Sequence, residues 1–421
     1  MKHKRTTISA RAIAVVIAAA SLAGIAGCDS YVGDIEVPNS TIDEALLNSK
    51  TQVQFQITGV RSKFAMSHSV VTTISGLVSD ELDFGGPDAT FPQYLEIDRK
   101  ITSVLNAEVE DFNITIGQLR LLADLLVDRV TNKIDFSDPA TGKVPSQDSA
   151  LKESALFTGY LYGGVARFWT AAYLGLEPKK GGGAIDAGPF IPSAQMYDLA
   201  IEKWKLALQH TASGYLKRVV NTLIARAYLF NGNYALAGTH AAEGLTAGDP
   251  DFQSLFTNTD NGSNGYWFFY AGLGRTQMIP APRFTGYVTE NPAEANRVLL
   301  MPSPKNPAVN IQGRYPAQNS PIPLVTWQEN RLMQAEVELL GNNNPNAALG
   351  HVNAVRSSHD LAPLESLSKD ALITERDKEL SFTGNRVIDQ NRFDLWDASL
   401  PAGFWHYIPL SKTERDANPN F

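Results

Sequence analysis

The chain has 421 residues, 43% hydrophobic and 19% charged, a balance that excludes a disordered chain and fits one large globular domain or two ordinary ones. Its formal net charge of −8 speaks against a basic surface for nucleic acid. The single cysteine excludes an internal disulfide framework and a thiolate metal site.

Lys2, Lys4 and Arg5 precede an apolar run from Ala12 to Gly24 that is too short to span a bilayer, so residues 1–27 read as a signal peptide. Ile25-Ala26-Gly27-Cys28 resembles a bacterial lipobox, which makes Cys28 the expected lipidated N-terminus of the mature protein. The leader carries four positive charges and no acid, so taking those four from −8 leaves −12 for the mature chain. Asp29 to Ser40 reads as a polar tether.

Thr41-Ile42-Asp43-Glu44 is read as a capping box, and the helix it starts is expected to carry Val53, Ile57, Val60 and Phe64 at helical spacing. Val70 to Val78 is apolar, with β-branched residues dominating its first half. It leads into SDELDFGGPDATFPQY, a Gly/Pro loop that holds Asp80, Glu81, Asp83, Phe84, Phe91 and Tyr94. A second helix is predicted from Leu105 through Val109, Phe112, Ile116, Leu119, Ala123 and Leu126 to Val130. From about Ala150 the pattern becomes pairs of helices. Ala155, Gly159, Tyr162, Ala166 and Phe168 mark one helix, and Ser193 is the expected cap of a partner carrying Tyr197, Ala200, Ile201, Trp204 and Leu208. The next pair, with Ile224, Ala225, Tyr228, Gly232, Tyr234, Ala237 and Ala241, is close to the tetratricopeptide pattern but departs from it at Asn221 and Gly244. A third pair runs from Trp327 to Leu339 and from Ala347 to Arg356, around a Gly341-Asn342-Asn343-Asn344-Pro345 turn. Such pairs stack on their neighbours into a curved helical scaffold.

Between the second and third pairs, residues 251–320 lose helical period and are rich in Gly, Pro and Asn. They carry Tyr266-Trp267-Phe268-Phe269-Tyr270, Phe284 and Tyr287. A loop region this long inside a compact domain is usually functional. WFFY fits two readings: a ligand-touching surface, or a buried strand with alternating faces. After the third pair, Ser368 caps a helix whose Leu372, Ile373, Arg376 and Leu380 share a face, with Glu375 and Glu379 one turn apart. Gly384 stops it, and NRVIDQNRFDLW reads as an arginine-rich irregular tail that closes the helical body by ion pairs.

This last block, Glu375, Arg376, Glu379, Leu380, Phe382, Gly384, Arg386 and Asp389, is followed by Ile408, Pro409, Glu414, Asn418, Pro419 and Asn420. Together these residues resemble the C-terminus of SusD/RagB-type nutrient-binding lipoproteins, in which the block holds the fold. The resemblance implies a mainly α, tetratricopeptide-like superhelix with long loop-rich insertions, here one domain over 28–421. Its scaffold would span about 41–250 and 321–382, its ligand-side insertion 251–320 and its C-terminal clamp 383–421. It further implies a non-enzymatic surface protein that captures an oligosaccharide, or less often a peptide, and delivers it to a SusC-type TonB-dependent transporter. A lipid-anchored adaptor that binds no small molecule is the alternative.

Sugar rings stack on flat aromatic faces while carboxylates, amides or guanidinium groups bond their hydroxyls. On that chemistry Trp267, Tyr270 and Tyr266 are candidate platforms, with Asn264 and Arg275 as polar partners and Tyr287 nearby in sequence. Asp83, Phe84 and Tyr94 of the DELDF loop are candidates for the same cleft. Catalytic patterns are missing: no two histidines stand at the spacing of a zinc helix, and there is no nucleophile elbow or phosphate loop. Asp80, Glu81 and Asp83 form an acidic cluster such as any acidic protein offers. Asn258-Thr259-Asp260-Asn261-Gly262 faintly resembles a calcium loop but lacks the later glutamate, so a plain turn is the reading and no cofactor is expected.

Overall fold

A computed structural model describes residues 44–101, 103–175, 191–259, 262–270 and 276–417. The leader, Cys28, the tether, Arg275, Asn418, Pro419 and Asn420 lie outside the described residues. The chain divides into two compact units, Met1–Ser49 and Lys50–Phe421. The described part of the first is a single 3-10 turn over Glu44–Asn48.

In the larger unit, helix α1 (Val53–Val78) buries Val53, Ile57, Val60 and Phe64 on one stripe, and beyond them it is buried almost all round. The β-branched stretch from Val70 is helical as well, because complete burial outweighs its weak strand preference. Ser79 ends the helix: its N–H donates to Ser75 O and its hydroxyl to Gly76 O. Strand β1 (Leu82–Phe84) and helix α2 (Pro92–Asp98) follow. Helix α3 (Ala107–Asp128) begins later than its apolar spacing predicts. Asn106 accepts from the N–H groups of Glu108 and Val109 and so caps it, leaving Leu105 outside the helix and 71% exposed.

Helices α4 (Ser146–Tyr173), α5 (Ser193–Gln209), α6 (Gly214–Phe230) and α7 (Tyr234–Ala242) pack in succession, α3 on α4, α4 on α5 and α6 on α7. Small residues set their approach. A Cβ at Gly159 would stand 2.5 Å from the Val127 side chain, and one at Gly164 2.3 Å from the Trp204 indole nitrogen, which donates to Leu161 O. Ser193 is not the cap of α5: it is the first helical residue, and its hydroxyl donates to Ala171 O, tying α5 to α4. Both departures from the repeat pattern have a local cause. Asn221 Oδ1 lies 2.8 Å from His240 Nδ1. Gly244 leaves room for Asn330, whose amide donates to Ala241 O and Leu245 O and so satisfies carbonyls at the end of α7.

The stretch read as loop contains regular structure. Three two-stranded antiparallel ladders join β1 to β3 (Met278–Pro280), β2 (Phe252–Ser254) to β6 (Ile322–Val325), and β4 (Leu300–Pro302) to β5 (Asn310–Gln312). Helix α8 (Gly265–Tyr270) takes the place of the alternating strand that WFFY allowed, and α9 (Pro282–Glu290) follows β3. Helices α10 (Trp327–Glu336) and α11 (Pro345–Ser357) form the third pair. Ser368 caps α12 (Lys369–Glu379), accepting from Ala371 N–H. The tail predicted to be irregular is also helical over α13 (Arg386–Phe393) and α14 (Lys412–Ala417). One large apolar core runs through α1, α3, α4, α5, α6 and the ladders, with two smaller clusters around α10. No described helix is long and apolar enough to cross a membrane.

Candidate functional site

The C-terminal block is the frame on which the loop face rests. Arg376 is completely buried and grips Asp389 of α13 with two parallel bonds, Nε to Oδ2 and Nη2 to Oδ1, both 2.9 Å. Arg392 binds Glu336 and also reaches Asp389 at 3.1 Å. Glu375 holds Arg297 at 2.8 Å and Arg356 at 2.6 Å, while Glu379 lies 2.9 Å from His359. Arg386 binds Asp80 through Nε at 2.5 Å and Nη2 at 2.7 Å, so the clamp fixes the start of the DELDF loop. Pro409 O accepts from Asn113 of α3. Two turn positions are left-handed, Phe382 at φ 63° and Gly384 at φ 83°. Phe382 has a Cβ and is held there from both sides: Glu81 accepts its N–H at 2.7 Å, and its carbonyl accepts from the Tyr315 hydroxyl at 2.8 Å.

The three loop acids sit in different settings. Asp80 is taken by Arg386, Glu81 is buried against Phe382, and Asp83 lies half-buried on β1 opposite Ile279. Burial raises the pKa of Asp83 and of Asp98, with the Lys100 charge working the other way. It lowers that of Lys100, whose Nζ donates to Asp98 O.

The β1–β3 ladder joins the two stretches that the sequence singles out separately. Past the ladder, the N–H groups of Gly85 and Gly86 donate to Gln277 O, and Asp88 N–H to Thr276 O. The buried Gln277 side chain accepts from Thr90 and Phe91 N–H and donates to Asp88 O. Gly86 is required by the approach, since a Cβ there would come 2.2 Å from Thr276 O. Lys305, between β4 and β5, pairs with Asp88 at 2.9 Å. Gln277, Asp88 and Lys305 carry no motif; only the Gly-Gly-Pro at 85–87 hints at a close backbone approach.

The candidate residues separate by exposure. Asn264 is completely buried, its amide donating to Ser320 O and its Oδ1 accepting from Trp267 N–H to start α8. Tyr266 is also buried, edge-on to Tyr315 at 5.0 Å. Tyr94 is buried in α2, edge-on to Phe91. These three pack the core and present no open face, which corrects their reading as ligand contacts: a helix places Tyr266 inward where a strand or loop need not. Trp267 is half-buried, as are Asp83, Phe84 and Phe91. Tyr270 ends α8. Tyr287 is half-buried, but its hydroxyl donates to Asp377 of the clamp and Lys378 lies over its ring at 4.7 Å.

Trp267, Phe84, Phe91 and Asp83 are thus the candidates and neighbours that keep part of their surface open among the described residues. Among the described residues no three His, Cys, Asp or Glu side chains are placed to hold a metal. Asp260 and Asn261 of the calcium-like segment lie outside the described residues. Around them Thr257 N–H donates to Gly262 O, closing a turn.

No protein-family model matches the chain, and no curated protein matches it. Solved structures do. A putative sugar binding protein from Bacteroides vulgatus ATCC 8482 is 19% identical with a TM-score of 0.66, covering 88% of this chain and 97% of that one. A SusD superfamily protein from Bacteroides thetaiotaomicron VPI-5482 is 16% identical with a TM-score of 0.68, covering 88% and 98%. A laminarin binding SusD-like protein is 13% identical with a TM-score of 0.67, covering 88% and 99%. Agreement over nearly the whole length of each, at identities this low, is agreement of architecture. The chain shares the fold of these solved structures.

Proposed function

We propose that this protein is a non-enzymatic, cell-surface glycan-binding lipoprotein. In this reading residues 1–27 are its signal peptide, Cys28 its lipid anchor in the outer membrane, and a SusC-type TonB-dependent transporter its partner. The observation that supports the binding role is the β1–β3 ladder, which pairs Asp83 and Phe84 with Ile279 and Met278. A sugar-binding and a laminarin-binding protein of the same fold support the ligand class. Trp267 and Tyr270 offer the stacking faces, Asp83 and Arg275 the hydroxyl partners, and the tetratricopeptide-like helix pairs α4–α7 the scaffold that docks on the transporter. Capture then needs no chemistry. The ligand stacks, its hydroxyls are bonded, and the lipid keeps the complex beside the transporter.

Affinity electrophoresis through gels containing laminarin or other soluble glycans tests the reading. The protein is expected to be retarded by at least one glycan, and Trp267→Ala with Tyr270→Ala to lose at least about tenfold in affinity, the scale of two stacked rings. Retardation that survives both substitutions would sink the assignment of this face, and migration indifferent to every glycan would sink the function.

A further inference from the structure

A cavity of about 380 Å³ opens among α1, α4, the end of α5 and the start of α6, and none of the candidate residues above lines it. Its size is that of a small-molecule site. Phe157, Leu216 and Phe252 give it apolar walls. Tyr162 also lines it, more than nine-tenths buried and packed on Phe64 at 4.6 Å between ring centres. Among the described residues no group hydrogen-bonds the Tyr162 hydroxyl, which is left as a donor on a side chain otherwise packed in the core. Arg61 lines the same cavity from α1, exposed and with no carboxylate in ion-pair reach among the described residues. The acid in the lining, Glu153, is already engaged, its Oε2 2.8 Å from His210 Nδ1, and the His210 ring is stacked on Tyr160.

We infer that this cavity binds a small monocarboxylate with an aromatic or branched apolar body, the carboxylate accepting from Arg61 and from the Tyr162 hydroxyl. The two unpartnered donors ask for an anion that accepts from both. Burial pushes the Tyr162 pKa up to about 12, with the Arg61 charge opposing, so the phenol keeps its proton at neutral pH and serves as donor. The walls ask for an apolar body. A neutral sugar would bring no charge to the guanidinium and would turn hydroxyls toward Leu216. A phosphate dianion would face one cation only.

Calorimetric titration of the purified protein with 4-phenylbutyrate, and separately with its uncharged amide, tests this. The acid is expected to bind at least about tenfold tighter than the amide, the size of one charge-assisted contact. Arg61→Met should remove that advantage and leave amide binding unchanged. Tyr162→Phe should weaken the acid by about threefold to tenfold, the loss of one hydrogen bond. Leu216→Trp, which fills the cavity, should abolish both, and Trp267→Ala should alter neither. Equal affinity for acid and amide, acid binding that survives Arg61→Met, or no acid binding at millimolar concentration would each overturn the inference.

Discussion

Glu81 shows how much one side chain settles here. Its Oε1 accepts the N–H of left-handed Phe382, and its Oε2, buried beside Gly76, has no hydrogen-bond partner among the described residues. Burial drives its pKa from 4.5 up to about 8, against the Phe382 N–H and with help from the Asp377 charge. The folded state therefore binds one more proton than the unfolded chain between those two values. This contribution to stability is complete below the unfolded pKa and is lost as pH rises toward 8, at up to about 1.4 kcal/mol per unit. Glu81→Gln keeps an acceptor oxygen and removes the titration. Urea midpoints measured between about pH 5 and 8 should decline for the parent and stay nearly level for the variant. The same slope in both would show that the carboxylate ionises freely.

The decisive element is the β1–β3 joint. Short ladders of this kind are marginal alone and persist because the backbone around them is saturated by other bonds, here from Gln277 and Asp88. Gly86→Val places a side chain against Thr276 O, and the loop must part from its partner. Amide exchange at Gly85, Gly86 and Asp88 should accelerate by about tenfold or more, the mark of a local opening, while the helical core stays protected. Unchanged exchange at these amides would mean that the loop is held by something other than the ladder. Helix α8 shows the same in miniature: Asn264 accepts Trp267 N–H at its start, and Tyr266 is buried.

Across the larger unit, ion pairs, most of them buried, tie the C-terminal block together and to earlier parts of the chain. Arg376 and Asp389 lock α12 to α13, Arg297 joins the insertion to Glu375, and Arg386 joins the tail to Asp80. Such pairs contribute little net stability when compared with apolar replacements, yet breaking one strands a charge. Arg376→Met should cost about 3–5 kcal/mol by urea denaturation, and Arg376→Met with Asp389→Leu should recover part of that loss. A single variant as stable as the parent would remove the clamp from the account. At acid pH the relevant group is Asp377. Burial works to raise its pKa, but the Arg283 bonds and the Arg386 charge hold it below the usual range. Its contribution is thus present above the unfolded carboxylate pKa and is lost as pH falls through the folded one.

Apolar spacing located the bodies of α1, α3, α4, α5 and the α10–α11 pair, and the tetratricopeptide pattern α6 and α7, because a helix buries a stripe whose period is written in neighbouring residues; the Thr41 box did not mark the start of α1, which begins at Val53. The Ser368 cap was legible for the same reason, its partner lying three residues on, but the helix stops at Leu380, ahead of the predicted Gly384. The C-terminal block was legible as a pattern, though its partners Arg297, Arg356 and Asp80 were not. Tertiary structure alone decided that α13 is a helix, that Tyr94, Tyr266 and Asn264 face inward, and that the DELDF loop pairs with β3. Each of these depends on contacts between residues up to 300 positions apart. Periodicity reports only the face an element would bury, whereas the surface it meets, and the side chains left open once it has met it, are properties of the packed chain.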